Sequence, residues 1–91
     1  MTDKFFIQRI APIVNINGTS REELVQQRRD VIDACSMLLN ALSCMTPNGR
    51  DYPGDPEMCK YDRDIHYDRF SAIAALKGAM LDEAVAIQRE G

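Results

Sequence analysis

Three short segments of this chain carry side chains that can bind or transform a charged ligand. The first is Asn17-Gly18-Thr19, directly before a predicted helix, where free backbone amides and the helix dipole favour an anion. Arg28 follows within about three helical turns. Taken alone, the segment is also explained by the plain turn and capping residue that a helix needs at its start, and this simpler interpretation is favoured.

The second segment is Asn48-Gly49-Arg50-Asp51-Tyr52. An arginine can hold a phosphate through two hydrogen bonds, and a tyrosine ring can stack on a base. The alternative is a tight turn in which Arg50 pairs with Asp51 or with a carbonyl at a helix end. Taken alone, that alternative is again favoured.

The third segment opens a second predicted helix and places Asp62, His66 and Arg69 on one helical face. Carboxylates near a histidine suggest a metal site or an acid–base pair, so a small hydrolase using His66 with Asp62 is one hypothesis. One histidine and one or two aspartates are few ligands for a metal. A solvated face with ion pairs is therefore favoured, and a binding role for His66, Tyr67 or Arg69 is favoured over a catalytic one.

Composition narrows the class of protein. The chain has 91 residues, 45% of them hydrophobic and 27% charged, as expected for a single folded domain spanning 1–91. A net charge of −3 is unsuited to gripping DNA or RNA. Three cysteines and one histidine give neither a disulfide framework nor a structural zinc site.

The sequence also lacks several functional signatures. It has no phosphate-binding loop, no dinucleotide fingerprint and no nucleophile elbow, and no secretory signal or long apolar run occurs. We therefore expect a cytoplasmic, non-catalytic protein that uses no cofactor or metal and binds neither nucleic acid nor membrane.

Two long helices must position the three segments. The first is predicted over 20–45, beginning with the capping box Ser20-Arg21-Glu22-Glu23. The second is predicted over 55–88, with Asp55 as N-cap and Pro56 at the first helical position. A proline- and glycine-rich connector, 46–54, joins them. The predicted fold class is all-α, an antiparallel two-helix hairpin with an N-terminal arm over 1–19.

The arm is predicted to pack on the body or on a neighbouring copy, because it is apolar. Phe5, Phe6, Ile7 and Ile10 could form one amphipathic turn. The segment 13–16 is predicted to be extended, with a turn at Asn17-Gly18.

The first helix has an apolar surface wider than one seam. One row follows steps of three and four, and a second row lies beside it. The first row is Leu24, Val31, Cys35, Leu38, Leu42 and Met45, and the second is Val25, Ile32 and Leu39. A hairpin covers one seam, so we expect a homo-oligomer, either a four-helix dimer or a larger ring such as a hexamer. The alternative is a monomer whose arm covers the spare surface.

The segment 17–24, followed by a helix and then the segment 47–52, resembles the two-motif layout of a group of small phage and prophage proteins. The likeness extends from about Ile13 onward. More distantly, a helix, the turn Pro47-x-Gly49-Arg50-Asp51 and a second helix are similar to the hairpin shared by phage anti-CBASS and anti-Thoeris sponges.

This resemblance implies a phage-encoded homo-oligomer that acts in the host bacterial cytoplasm. Such a protein would sequester a cyclic oligonucleotide or cyclic ADP-ribose isomer and deprive a defence effector of its signal, without catalysis. The alternative is a helical interaction or structural module of a phage that acts on a host protein. The expected ligand-binding residues are Asn17, Gly18, Thr19, Arg28, Asn48, Gly49, Arg50, Tyr52, His66 and Arg69.

Overall fold

The computed structural model describes residues 7–89 and contains two α-helices that form a hairpin. Helix α1 spans Arg21–Ser43, and helix α2 spans Pro56–Arg89. No strand occurs within the described range. Both helices lie within two residues of their predicted bounds at each end. The all-helical hairpin is therefore confirmed.

Local side-chain chemistry sets the first turn of α1. The Ser20 hydroxyl accepts the backbone N–H of Glu23 at 3.2 Å, so the predicted N-cap is confirmed. Glu22 and Glu23 lie in the first turn, where the positive end of the helix dipole favours acids. The end of α1 tightens into a 3₁₀-type turn, because Cys44 and Met45 donate to carbonyls three residues back.

Replacing Ser20 with alanine is expected to lower the free energy of unfolding by about 1 kcal/mol, because the Glu23 N–H loses its acceptor. Thermal or urea unfolding followed by circular dichroism measures the change. Ser36→Ala, in the middle of α1, is the control, since alanine has the better helix propensity there. Equal stability of the Ser20 variant and the wild type would show that the cap contributes nothing.

The reversal of the chain before α2 depends on two residues. Gly54 has φ +76°, a left-handed conformation that glycine adopts at little cost. The Asp55 carboxylate then accepts the backbone N–H of Met58 at 3.0 Å, which caps the helix that begins at Pro56.

The core of the hairpin is small. Leu24 and Val25 of α1 pack against Ala84 and Ile87 of α2, and Val14 of the arm joins them. Among the described residues, no large side chain is fully buried. The smallest principal extent is 16 Å, so the hairpin is one helix layer thick.

The predicted apolar row of α1 is only partly covered by α2. Leu24 and Cys35 are buried, whereas Val31, Leu38 and Met45 are exposed. The second helix leaves Gly78 uncrowded, because no atom of the described residues outside its own helical turns lies within 4 Å of an ideal Cβ there. Gly78 is therefore not required for a close approach between the described elements.

The arm contacts the hairpin through a buried carboxylate. Glu83 of α2 is 2% exposed, and it accepts the Ile10 backbone N–H at 3.1 Å and the Arg28 Nε–H at 3.2 Å. Arg28 also donates to the Leu24 carbonyl at 3.3 Å and to Gln27 at 3.1 Å. One ion pair therefore connects the arm and both helices.

The rest of the arm is more open than its apolar composition predicts. Phe5 and Phe6 lie outside the described residues, and Ile7 and Ile10 are not part of a helical turn. The chain turns over 15–18, where the Gly18 N–H donates to the Asn15 carbonyl at 3.2 Å. The exposed arm side chains include Ile7, Ile10, Ile13 and Ile16.

Neither α1 nor α2 combines the length and the apolar character needed to cross a membrane, within the range that the structure describes.

Candidate functional site

The connector folds back on the first turns of α2 and forms a polar junction with them. Thr46 follows the end of α1, and its hydroxyl donates to the Ser43 carbonyl at 3.0 Å. The same oxygen lies 3.3 Å from His66 Nε2. Because the hydroxyl has one proton and donates it to Ser43, we assign the second contact as His66 Nε2–H donating to Thr46.

A single 3₁₀ turn, Gly49–Asp51, presents the arginine of the connector. The Asn48 side chain accepts the Arg50 backbone N–H at 3.1 Å, and the Asn48 carbonyl accepts the Asp51 N–H at 2.9 Å. Two bonds from one residue therefore fix the turn. The composition predicts an ordered turn in the connector, and the structure has a short 3₁₀ helix there.

A second hydrogen bond fixes the far side of the connector. The Tyr52 hydroxyl donates to Asp62 Oδ2 at 2.7 Å. The negative charge of Asp62, through this bond, raises the pKa of Tyr52 from 10.0 to about 12, and desolvation adds to the increase. The Arg63 Nε–H donates to the Pro47 carbonyl at 2.9 Å, which ties α2 to the start of the connector.

The raised pKa of Tyr52 predicts a pH-dependent loosening of the connector. Since the folded state favours the protonated phenol, the stabilisation is complete below pH 10 and is lost as the pH rises from 10.0 to about 12. The difference in ultraviolet absorbance between wild type and Tyr52→Phe isolates this phenol, and its midpoint is expected at about 12. Asp62→Asn should move the midpoint down toward 10.0. A midpoint that does not respond to Asp62→Asn would contradict the assignment.

The two residues of the hydrolase hypothesis have different partners. His66, 9% exposed, contacts Thr46, whereas Asp62 accepts from Tyr52. Both contacts connect α2 to the connector. Within residues 7–89, no three His, Cys, Asp or Glu side chains gather closely enough to hold a metal ion.

The arginines of the connector region differ in what they contact. Arg63 is held by Pro47, whereas Arg50 and Arg69 are exposed. The Arg50 side chain makes no hydrogen bond or ion pair within the described part of the chain, so the pairing with Asp51 considered from the sequence does not occur. An ideal Cβ at Gly49 would meet no atom within 4 Å. The surface beside Arg50 is therefore open.

The N-terminal turn is built differently from the expected anion site. The Asn15 side chain accepts the Asn17 N–H at 3.0 Å, and an ideal Cβ on Gly18 would lie 3.1 Å from the Asn15 amide nitrogen. A Cβ at position 18 would therefore crowd the Asn15 side chain. Thr19 is exposed directly before α1.

The structure therefore brings together only some of the expected ligand-binding residues. Asn48, Gly49, Arg50 and Tyr52 share the connector, and His66 is joined to it through Thr46. The turn with Asn17, Gly18 and Thr19 precedes α1 and lies at the opposite end of that helix, about 35 Å away at 1.5 Å per residue. Arg28 is engaged by Glu83.

Sequence reasoning did not identify Thr46, Arg63 or Glu83. Thr46 and Arg63 carry no local signal, because their partners are set by how the connector packs on α2. The spacing of Glu83 in the sequence does indicate a buried position. Glu83 lies three residues after Met80 and four before Ile87, beside an apolar row of α2. Arg28 likewise lies within the apolar row of α1.

Comparisons with models of protein families, with curated proteins and with solved structures find no significant match to this chain.

Proposed function

We propose that this chain is a non-catalytic, self-associating protein that binds and sequesters a small phosphate-containing nucleotide, such as a cyclic oligonucleotide or a cyclic ADP-ribose isomer. The observation that carries the proposal is the Arg50 guanidinium. It is exposed and uncommitted, on a turn that Asn48 holds in place beside the open face of Gly49. A guanidinium can make two charge-assisted hydrogen bonds to a phosphate, and the backbone that carries this one is already ordered.

Exposed aromatic side chains in the first half of α2 suit the base of such a ligand. Tyr61 and Tyr67 are exposed in the stretch of α2 that also holds Asp62 and His66. Base stacking on an aromatic ring contributes about 1–3 kcal/mol per base and tolerates different bases. The exposed Arg69 adds a second positive charge in the same stretch. Phosphate and base recognition are thus available without any basic stripe for long nucleic acids.

The hydrogen bonds of His66 and Asp62 fit sequestration of a ligand better than its chemical turnover. His66 and Asp62 each make a bond that fixes the connector, so neither is poised on an open surface as an acid or base. In this proposal Arg28 stays paired with Glu83 and does not bind the ligand. The central contacts to the ligand are then made by Asn48, Gly49 and Arg50. Antiparallel pairing of two hairpins would bring the connector of one copy to the N-terminal half of α1 in the other.

The biological role follows from the resemblance to phage anti-CBASS and anti-Thoeris sponges. In that role, the chain is made by a phage in the host cytoplasm and lowers the free concentration of a nucleotide immune signal. Its ligand would be released unaltered, because the protein holds the molecule and does not transform it.

A thermal-shift screen tests the proposal. The full chain is heated with cyclic dinucleotides, cyclic trinucleotides, cyclic mononucleotides and cyclic ADP-ribose isomers. A ligand that binds only the folded protein adds about 2.7 kcal/mol at a hundredfold excess over its dissociation constant. We expect a clear rise in melting temperature with one class and recovery of that nucleotide intact. No shift across the panel, or recovery of a hydrolysed product, would refute the proposal.

A second candidate function is a helical protein-interaction module of a phage, and the exposed apolar surface of α1 favours it. This module would be indifferent to the nucleotide panel. It would instead bind one host protein through α1, and substitution of Leu38 by a charged residue would abolish that complex while Arg50→Ala would not.

A further inference from the structure

The C-terminal half of α1 carries no charge. Every residue between Asp33 and Arg50 is uncharged, although 27% of the whole chain is charged. Much of this segment is exposed, including Met37, Leu38 and Met45. An exposed helix without charged residues is unusual, whereas depletion of charge is typical of the buried centre of a protein interface.

Four exposed apolar residues of α1, together with Met45 just after the helix, form a stripe with the spacing of a coiled coil. The steps between them are three, four, three and four residues, and all five are exposed. We call this set the α1 stripe, and it consists of Val31, Ala34, Leu38, Ala41 and Met45. An average spacing of 3.5 residues keeps such a stripe against a second helix over its whole length.

The α1 stripe borders a groove between α1 and α2 into which the side chains of another helix can pack. The groove has a volume of about 360 Å³, and Ile73 and Leu76 of α2 form its other wall. Asp30 is the charged residue at its border. Ridges of side chains from another helix would pack into such a groove between two helices.

The chain as a whole exposes more surface than a compact monomer of its mass. It exposes 7004 Å², with the arm included, whereas a compact monomer of 10.3 kDa exposes about 5,300 Å². A second copy that buries roughly 800 Å² on each partner, as in a standard interface, would remove about half of that excess.

We infer that a second copy of this chain docks on the α1 stripe through its own α1 stripe, with the two α1 helices antiparallel. Each copy has a net charge of −3, so two copies approach most easily where neither carries charge. A parallel pair would place the acidic residues Glu22, Glu23 and Asp30 of both copies beside each other. The antiparallel pair avoids this repulsion and completes a four-helix bundle.

This inference deepens the proposed function, since it names the surface through which the proposed oligomer forms. The observations behind it do not involve a ligand, and its test is made without nucleotide. A chain that dimerises but does not shift with any nucleotide would refute the proposed function alone. A chain that binds nucleotide as a monomer would refute the interface and the self-association, and would leave nucleotide binding standing.

Light scattering coupled to size-exclusion chromatography tests the interface. We expect the wild-type chain to have a mass of about 20 kDa, twice the 10.3 kDa of one copy. Leu38→Glu should weaken the dimer at least tenfold and give the single-chain mass. The matched control is Leu81→Glu, because Leu81 on α2 is 46% exposed and Leu38 is 44% exposed. This control should stay dimeric.

A second pair of variants keeps the test decisive if Leu38→Glu does not fold, as judged by circular dichroism. Ala41 on the α1 stripe and Ala74 on α2 are both exposed helical alanines. Ala41→Glu should dissociate the dimer, and Ala74→Glu should not. A monomeric wild type, or a dimer that survives charge on the α1 stripe, would overturn the inference.

Mild oxidation tests the orientation. Cys44 is the exposed one of the three cysteines, and all three are free. With a two-fold axis near Leu38, the middle of the α1 stripe, the two Cys44 residues of an antiparallel dimer lie about 18 Å apart along the helices, beyond the reach of a disulfide. We therefore expect no covalent dimer. A Cys44–Cys44 disulfide in the dimer would show parallel pairing and overturn the antiparallel arrangement.

Discussion

Replacing Glu83 with alanine is expected to lower the free energy of unfolding by about 3 kcal/mol. The side chain of Glu83 is 2% exposed and that of Arg28 is 12% exposed, so the variant leaves a guanidinium with little water and no carboxylate. The Ile10 backbone N–H loses its acceptor as well. The melting temperature should fall by more than about 10 °C, because small domains lose several degrees per kcal/mol.

Two controls separate the ion pair from general effects. Asp82→Ala removes the neighbouring exposed acid and should leave stability nearly unchanged. The double variant Arg28→Met with Glu83→Leu removes both charges together and should recover most of the lost stability, since a buried pair can be replaced by apolar residues. A double variant as unstable as Glu83→Ala would show that packing at Glu83, and not the unpaired charge, causes the loss.

The helices could be predicted from the sequence because their signals are local. The hydroxyl of Ser20 lies three residues before the N–H that it accepts, and Asp55 likewise caps Met58. Both signals are visible in a short window of sequence. The exact end of α1 could not be predicted, because the final turn at Ser43 tightens without a glycine or proline to mark it.

The site could be predicted less well, because its bonds join distant residues. Arg28 and Glu83 are 55 positions apart in the sequence. No local rule predicts which acidic residue will pair with an arginine on the apolar face of a helix. The basic and polar residues of the connector were visible, including Arg50. The sequence did not show which of them form hydrogen bonds within the chain, since that depends on how the connector packs on Asp62, Arg63 and His66.

Replacing Arg50 with alanine is expected to weaken binding of the nucleotide that gives the thermal shift by roughly thirtyfold. The change corresponds to about 2 kcal/mol, which is typical for loss of a charge-assisted hydrogen-bonding partner. The fold should be unaffected, because the Arg50 side chain is exposed and its backbone N–H still bonds to Asn48. Isothermal titration calorimetry with wild type and variant measures the ratio of dissociation constants.

Two further variants define what Arg50 contributes. Arg50→Lys keeps the charge but loses the planar fork, so binding should fall between wild type and Arg50→Ala. Lys77→Ala removes a positive charge from α2 about 31 Å from the start of that helix at 1.5 Å per residue, and it should bind as wild type does. Equal losses for Lys77→Ala and Arg50→Ala would mean that only the overall charge matters and that the connector is not the binding site.

Native mass spectrometry of the chain mixed with that nucleotide tests whether an oligomer of the chain sequesters the nucleotide unaltered. It measures the masses of the assembly and of the ligand in one experiment. We expect a complex that contains two or more copies of the 10.3 kDa chain together with nucleotide of unchanged mass. A single chain without ligand, or a bound nucleotide whose mass has increased by one water, would contradict it.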